Sequence, residues 1–156
     1  MRSIKAPPPP LRALGPVDTM VLSTKPVEFR WRGSIGSGLY NLVLRNHLGE
    51  TLYNQTTANV SLVLPTHIKL QPGNTYRWQV STIDAGESAS AEFSAAPAEV
   101  EALHYRMARL KTGSISDRVL YALYLDRMEL HEEAREAWDH LETLRPGIQS
   151  ERGMQQ

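Results

Sequence analysis

Acidic side chains that could act in pairs recur along the stretch "HEEAREAWDHLETLRP" near the C-terminus. Two carboxylates can cleave a glycosidic bond, but only from a cleft that holds them at a controlled separation. Arg135 and Arg145 are interspersed among the acids, as is typical of the solvated face of a helix. We therefore favour a solvated helix face over an active site or a recognition patch. The acidic members of the run are Glu132, Glu133, Glu136, Asp139 and Glu142.

The histidines do not have the spacing of a metal site. No two of them lie four residues apart on one predicted helix, and the pattern HExxH does not occur. The chain has no cysteine, so thiolate ligands and a cysteine nucleophile are excluded. We predict no catalytic residues, no cofactor and no metal site. The histidines are His47, His67, His104, His131 and His140.

The glycine-rich stretch "GSIGSG", residues 33–38, is the remaining candidate for ligand chemistry. A phosphate cradle needs a strand before it and the N-terminus of a helix after it. Here the stretch joins two predicted strands, which favours a flexible loop, although such loops can serve as binding tips.

Overall charge excludes two classes of partner. The chain of 156 residues carries 17 Lys and Arg and 17 Asp and Glu, so its formal net charge is zero. This balance weighs against a non-specific nucleic-acid binder and against a polybasic membrane contact. No stretch is long and apolar enough to insert into a membrane, and "MRSIKAPPPP" does not read as a signal peptide. We expect a cytoplasmic protein as written, or an extracytoplasmic one if an anchor lies upstream.

Residues 26–95 alternate apolar and polar side chains with a period of two. Turn formers separate the alternating runs, and no helical pattern intervenes. Trp31 and Trp78 fall on inward-facing positions. The pattern predicts an antiparallel β-sandwich over residues 16–96, preceded by a proline-rich extended linker over residues 1–15. The runs are "VEFRW", "LYNLVLRN", "NVSLVLP", "YRWQV" and "SAEFSA".

The stretch "LQPGNTYRW" predicts a tyrosine corner. A Tyr at the start of a late sandwich strand can turn its hydroxyl back onto the backbone of the preceding loop. Tyr76 has this position, while Pro72 and Gly73 provide the turn and Leu70 packs beneath it. The stretch is therefore interpreted as structural, not catalytic.

These residues also carry a family resemblance. "LQPGNTYRWQV" followed by "DAGESASAEFS" resembles the end of a fibronectin type III domain, and "PVEFRWRG" with "LYNLVLRN" resembles its second and third strands, with Trp31 as the core tryptophan. More narrowly, residues 16–95 are similar to immunoglobulin-like modules of bacterial envelope and anti-sigma-type proteins. The resemblance implies a module that binds other proteins or acts as a spacer, commonly after a membrane helix.

After "SAAPAEVEAL" the apolar period becomes helical, which predicts a helical module over residues 97–147, either a C-terminal α-helical hairpin or a three-helix cap on the sandwich. We expect helices at residues 98–110, 116–129 and 132–144, with Ser114 or Ser116 capping the second. Trp138 is predicted to lie between two helices. Residues 148–156 are polar and are expected to form a flexible tail.

The helical module resembles a single tetratricopeptide repeat over residues 115–147. Ala122, Ala134 and Pro146 stand where that repeat has small residues and its closing proline. Small residues let paired helices approach closely, but one repeat cannot bury its own apolar faces. The module must therefore dock on the sandwich, on a second copy of the chain, or on another protein.

The leading hypothesis is a non-enzymatic protein-interaction or scaffold module. It would bind another protein, or itself, through the groove between the second and third helices or through a sandwich edge. The predicted contacts on the second helix are Tyr121, Tyr124, Leu125 and Arg127.

Two alternatives remain. The chain could be a structural or accessory envelope subunit, because the tetraproline at residues 7–10 is a suitable spacer between a membrane anchor and a partner. A small hydrolase or a sugar-binding accessory domain is the third hypothesis, although no site for it is visible in the sequence.

Overall fold

The computed structural model describes residues 10–33, 38–84 and 86–148. Most of the proline-rich linker, the centre of the glycine-rich stretch and the predicted tail lie outside the described residues. Within the described ranges, eight strands are followed by three α-helices. The strands are β1 (Arg12–Gly15), β2 (Met20–Val21), β3 (Glu28–Arg32), β4 (Tyr40–Arg45), β5 (Thr51–Thr57), β6 (Ser61–Val63), β7 (Thr75–Thr82) and β8 (Ser88–Ala95).

Two sheets form the β half. One has the order β1-β3-β6 and the other the order β2-β8-β7-β4-β5. The two-sheet strand order is that of an immunoglobulin-like or fibronectin type III-like sandwich, so the predicted sandwich is confirmed. One pairing departs from the antiparallel prediction, since β2 runs parallel to β8. The reason is that the chain leaves the first sheet after Gly15 and joins the edge of the second sheet before β3 returns to the first.

Inward-facing side chains of the two sheets make the sandwich core. Trp31, Trp78 and Phe29 are fully buried, and the ring of Phe29 lies 5.3 Å from that of Trp78. The indole N–H of Trp78 donates to the carbonyl of Pro16 over 2.8 Å. These contacts bring β3 and β7, which belong to different sheets, together around one aromatic centre.

The loop before β7 has the geometry of a tyrosine corner. The backbone N–H of Gln71 donates to the hydroxyl of Tyr76 over 2.6 Å. Gly73 adopts a φ of +81°, a conformation that side chains disfavour, and it follows Pro72 in the turn. Leu70 is partly buried against the core beneath them. The corner fixes the entry of the chain into β7.

The sandwich begins earlier than the sequence predicts. Residues 12–15, expected in the extended linker, form β1, and Ala13 lies opposite Trp31 in its pairing with β3. Leu11 is buried in the sandwich core. The extended-linker prediction is therefore wrong for residues 11–15, because the partner strand supplies hydrogen bonds that the local sequence does not reveal.

The helical half comprises α1 (Ala98–Met107), a 3-10 helix (Ala108–Thr112), α2 (Ile115–Arg127) and α3 (His131–Leu144). Ser114 caps α2 by a capping box with Asp117, in which each side chain bonds to the backbone N–H of the other. Ala122 and Ala134 are fully buried where α2 and α3 pack. Trp138 is buried between these helices, and its indole N–H donates to Asp126 over 2.9 Å.

A second hydrophobic cluster joins the helices to the sandwich. It contains Leu22 and Ala96 from the sandwich together with the buried side chains of α2 and α3. Ile148 is also buried in this cluster, so the predicted flexible tail cannot begin at residue 148. Of the three docking alternatives left by the sequence, the contacts place the helices against the sandwich of their own chain.

Polar contacts reinforce this junction. The buried hydroxyl of Thr19 donates to the carbonyl of Glu129 over 3.1 Å and accepts from the N–H of His131 over 3.2 Å. Arg30 donates to Glu132 over 2.6 Å. The turn between α2 and α3 is therefore bonded directly to the sandwich.

Candidate functional site

The predicted contact residues of α2 separate onto two sides of the helix. Tyr121 and Leu125 are four residues apart and share the face that packs inward, where they are 6% and 0% exposed. Both side chains therefore pack inside the folded chain, and their role as partner contacts stays a prediction. Tyr124 is half-buried and Arg127 is exposed on another side of the helix.

A small cavity lies along the inner side of α2 and α3, at the groove named in the leading hypothesis. Its volume is about 90 Å³, and we call it the charged groove. Its walls combine cations from three separate segments with acids of α3. The lining residues are Lys25, Lys111, Arg118, Tyr121, Glu133, Glu136, Ala137, His140 and Leu141.

Glu133 is the buried acid of this groove. Its side chain is only 9% exposed, and Lys25 Nζ lies 3.4 Å from Oε1. Oε2 is buried without a hydrogen-bond partner among the residues that the structure describes. An unsatisfied buried acceptor costs about 1–3 kcal/mol. This finding also corrects the interpretation of the acidic run as a solvated face, since the docking of α3 buries one of its members.

Lys25 connects the two acids of the groove. Besides Glu133, its ammonium lies 3.8 Å from Glu136 Oε2. Lys25 is about half exposed, so solvent screens both ion pairs and each is worth little on its own. One cation thus faces two carboxylates, which leaves the acidic side of the groove with an excess of negative charge.

The opposite side of the groove is cationic. Arg118 donates from Nε to the carbonyl of Gly113 over 2.9 Å, and its Nη1 lies 3.3 Å from Nε2 of His140. Because a guanidinium only donates, His140 Nε2 must be the unprotonated acceptor in this contact. Lys111 and Arg118 form no ion pair with a carboxylate within the described part of the chain.

His104 of α1 lies behind the groove. Its Nε2 is 3.2 Å from the hydroxyl of Tyr121. Burial lowers the pKa of His104 from its ordinary value of 6.5, and Glu133 opposes this effect. Burial, reinforced by the negative charges of Glu133 and Glu136, raises the pKa of Tyr121 above its ordinary value of 10.0. Both side chains therefore favour their neutral forms near neutral pH.

A larger cleft lies between the sandwich and α1. Its volume is about 380 Å³, and most of its lining is apolar, including Leu22, Val27 and Leu64. Lys25 lines both this cleft and the charged groove. Glu101 of α1 accepts a hydrogen bond from the backbone N–H of Ser23 at the cleft. Of the 22–27 segment, which lines the cleft, Lys25 alone also reaches the charged groove.

One candidate for the sandwich edge in the leading hypothesis is β5. It ends the five-stranded sheet, and its sequence "TLYNQTT" contains no charged residue and no proline. Charges and prolines are the features that commonly protect an edge strand from pairing with another chain. The composition of β5 therefore does not protect this edge from pairing with a strand of another chain.

Residues 10–33, 38–84 and 86–148 contain no group of three or more His, Cys, Asp or Glu side chains that could hold a metal ion. Nor do they contain a helix with the length and apolar character needed to cross a membrane.

Sequence reasoning missed the cationic side of the groove. Lys25, Lys111 and Arg118 belong to a sandwich loop, the 3-10 helix and α2, and nothing in their local sequence relates them. A faint signal was available for Glu133, which lies next to the inward-facing Ala134 and five residues before Trp138 on α3. The groove is a product of tertiary packing.

Comparisons with known proteins give limited information. No family model matches the chain. No curated protein matches it either. Among solved structures, the fn3 domain of human collagen alpha-1(XX) chain is 19% identical, with 62% of this chain and 92% of that chain covered and a TM-score of 0.42. CopC from Methylosinus trichosporium OB3b is 17% identical, with 56% of this chain and 95% of that chain covered and a TM-score of 0.37. The fold assignment therefore rests on the strand order described above.

Proposed function

We propose that this chain is a non-enzymatic protein-interaction module that binds its partner through the α2–α3 hairpin. The observation that carries the proposal is the set of unmatched charges at the charged groove. Lys111 and Arg118 have no carboxylate partner within the described chain. A partner that supplies the missing groups would recover interactions that the folded chain alone does not make.

The outer side of α2 extends the proposed surface. Tyr124 and Arg127 belong to residue types that dominate binding energy at protein interfaces. Leu120, three residues from Leu123 and four from Tyr124 on the same helix, is 44% exposed. These side chains form a contact area separate from the groove, with apolar and cationic character.

The likeness of the hairpin to one tetratricopeptide repeat belongs to the same proposal. The buried Ala122 and Ala134 allow the close approach of α2 and α3 that such a repeat needs, and Pro146 follows the end of α3. In this interpretation the sandwich takes the place of a neighbouring repeat on one face, while the groove remains for a partner.

Affinity capture with the intact chain tests the proposal. The bait proteins are the natural chain, Lys111→Glu at the groove, Arg127→Glu on the outer side of α2, and Arg109→Glu as the matched control. Arg109 is exposed on the 3-10 helix and does not line the groove. We expect a partner that the natural chain and the Arg109 variant retain and that at least one of the other variants loses.

Other outcomes are also informative. If all four baits retain a partner, the binding surface must lie at the cleft or at the β5 edge instead. Self-association is measured separately by sedimentation over a range of concentrations. If neither a partner nor self-association appears, the interaction function is wrong.

The alternative proposal is an accessory envelope subunit. It is supported by the tetraproline at residues 7–10, a composition typical of stiff spacers. Fractionation of native cells tests it, because an envelope subunit must be recovered with the membrane fraction. Recovery only in the soluble fraction would contradict the alternative and leave the interaction proposal intact.

A further inference from the structure

We propose that two copies of this chain associate by pairing their β5 strands antiparallel, which joins their five-stranded sheets into one continuous sheet. This inference goes beyond the proposed function and does not rest on it, because β5 belongs to the sandwich half and the hairpin to the helical half. The occupant of the sandwich edge is then the same strand of a second copy.

β5 is the longest sheet edge in the described part of the chain. It has seven residues, whereas the other edge strands, β1, β2 and β6, have four, two and three. An edge strand leaves backbone N–H and C=O groups on its outer side without a partner in the ladder. Because the sequence of β5 contains neither a charge nor a proline, it lacks two common means of keeping another strand away from these groups.

One irregularity limits how much of β5 can pair. The register of β4 against β5 shifts between Leu44 and Arg45, which places a bulge at the Thr51 end of β5. From Tyr53 to Thr57 the pairing with β4 is regular, with one residue opposite one. The segment Tyr53–Thr57 is therefore the part of β5 that can accept a further strand, and we call it the open edge.

A two-fold axis through Gln55 pairs the whole open edge with itself. Tyr53 then lies opposite Thr57 of the second copy, Asn54 lies opposite Thr56, and the two Gln55 side chains face each other. An aromatic and a β-branched side chain form a favourable cross-strand pair, and none of these pairs brings like charges together. Gln55 is exposed in the single chain, so the second copy can reach it. The open edge is thus complementary to itself.

The opposite edge of the same sheet explains why association stops at two copies. β2 forms that edge, and the N–H of Met20 already donates to the carbonyl of Glu129 over 3.1 Å. A joined sheet has β2 at both ends, so it offers a third copy no strand comparable to the open edge within the described residues. Closed two-fold pairing, which uses the same surface on both subunits, is the commonest arrangement of homodimers.

A second copy fits the open edge better than a foreign peptide does. When a peptide is added to a sheet edge, pockets for its alternate side chains provide the specificity. Neither the charged groove nor the larger cleft is lined by a residue of β5. A second copy needs no such pocket, because the length of the regular segment sets its register. The chain also has no net charge, so two copies do not repel each other overall.

Sedimentation of the full chain tests the inference over concentrations from about 1 μM to about 1 mM. We expect a monomer–dimer equilibrium with a Kd of roughly 100 μM, since a single pair of strands makes a small interface. A chain that stays monomeric over this range overturns the inference. Species that keep growing beyond the dimer also overturn it, because the β2 edge would then not close the assembly.

A charge at the two-fold axis locates the contact. Gln55→Lys places two ammonium groups opposite each other and should weaken the dimer about tenfold. Gln71→Lys makes the same substitution at an exposed loop residue outside β5 and should leave the Kd within about twofold. Far-ultraviolet circular dichroism checks that both variants fold. Equal losses in the two variants would show a general effect of charge and overturn the β5 contact.

Mixing two variants tests the register itself. Gln55→Lys and Gln55→Glu should each dimerise weakly alone, but an equimolar mixture should restore the natural affinity or exceed it, since opposite charges then face each other. Restoration requires that residue 55 of one copy lies beside residue 55 of the other. If the mixture dimerises no better than its components, the proposed pairing is wrong.

Failure here and failure of the proposed function give different results. If the natural chain stays monomeric but captures a partner that Arg127→Glu or Lys111→Glu loses, the hairpin proposal stands and the β5 pairing falls. If Gln55→Lys abolishes a dimer of the natural chain and no other partner is captured, the β5 pairing stands and the hairpin surface falls.

Discussion

The two halves of the molecule differ in whether they bury charged side chains. The sandwich core is built from aromatic and aliphatic side chains, and the described residues buried in it include no ionisable acid or base other than tyrosine. The helical half buries Glu133, and around it lie Arg118 and His104 of the helices together with Lys25 of a sandwich loop. Buried charge is costly unless it is paired, so it is rarely kept for stability alone. Buried charge is therefore concentrated where the helical half meets the sandwich, next to the hairpin that the proposed interaction uses.

The halves also differ in what completes their cores. Aromatic contacts within the sandwich, such as Phe29 on Trp78 and on Phe93, come from its own strands. The helical cluster includes Leu22 and Ala96, which belong to the sandwich half. The helices therefore depend on the sandwich for a complete core, whereas the sandwich does not depend on them to the same degree.

The largest expected effect comes from removing one tryptophan in each half. Trp78→Ala and Trp138→Ala should each lower the free energy of unfolding by about 3–5 kcal/mol, the usual cost of truncating a buried Trp. Trp78→Ala should destabilise both halves together. Trp138→Ala should unfold the helices at lower urea than the sandwich. Far-ultraviolet circular dichroism reports the helices, and fluorescence of Trp31 and Trp78 reports the sandwich.

Coincident transitions in the Trp138 variant would contradict this asymmetry. They would mean that the sandwich depends on the helices as strongly as the helices depend on it. Trp138→Phe, which retains most of the buried volume, is the matched control and should preserve a single transition.

The next largest loss of stability is expected at the junction between the halves. Thr19→Val keeps the shape of the side chain but removes the hydroxyl that bonds to Glu129 and His131. The Glu129 carbonyl keeps the N–H of Met20 over 3.1 Å, but the His131 N–H loses its partner, which should cost about 2 kcal/mol. Amide hydrogen exchange at His131 should accelerate in parallel. Thr51→Val on the exposed edge strand is the control and should stay within about 0.5 kcal/mol of the natural chain.

Within the sandwich, the tyrosine corner should matter less than the junction. Tyr76→Phe removes the acceptor of the Gln71 N–H but keeps the aromatic ring, whose centre lies 5.8 Å from that of Phe93. We expect a loss of about 1–2 kcal/mol in urea unfolding, because one backbone donor loses its partner. Tyr53→Phe on β5 is the control. Equal changes in the two variants would show that the Gln71 contact contributes no stability.

Local patterns predicted the sandwich, because each strand shows its inward face in its own sequence. Trp31, Trp78 and Tyr76 lie where the alternation and the turn chemistry place them. β1 was missed because "RALG" has no clear alternation, and its hydrogen bonds come from β3, which is distant in sequence. The parallel pairing of β2 was missed for the same reason.

The charged groove could not be predicted in this way. Its cations come from segments far apart in the sequence, and only the docking of the helices on the sandwich places them around Glu133. The sequence could, however, have predicted that the proposed contact residues of α2 lie on two different sides of the helix. Tyr121 and Leu125 share a face with the small residue Ala122, and helical periodicity marks that face as the packed one.

The smallest effect concerns the pH response of the two halves. Burial lowers the pKa of His104 below 6.5, with smaller contributions from Lys25 and Lys111, while Glu133 and Glu101 act in the opposite direction. The unfolded chain therefore binds a proton at His104 more readily than the folded chain does. This contribution to stability is fully present above pH 6.5 and is lost as the pH falls through 6.5 towards the lower folded pKa.

Acidification should therefore weaken the helical half before the sandwich. His104→Gln, which keeps a polar group near the Tyr121 hydroxyl, should reduce the slope of stability against pH in this window. Imidazole resonances of His104 measured by NMR report its pKa directly. A folded pKa at or above 6.5, or an unchanged slope in the variant, would show that His104 does not couple folding to pH. The dependence would then have to come from another group around Glu133.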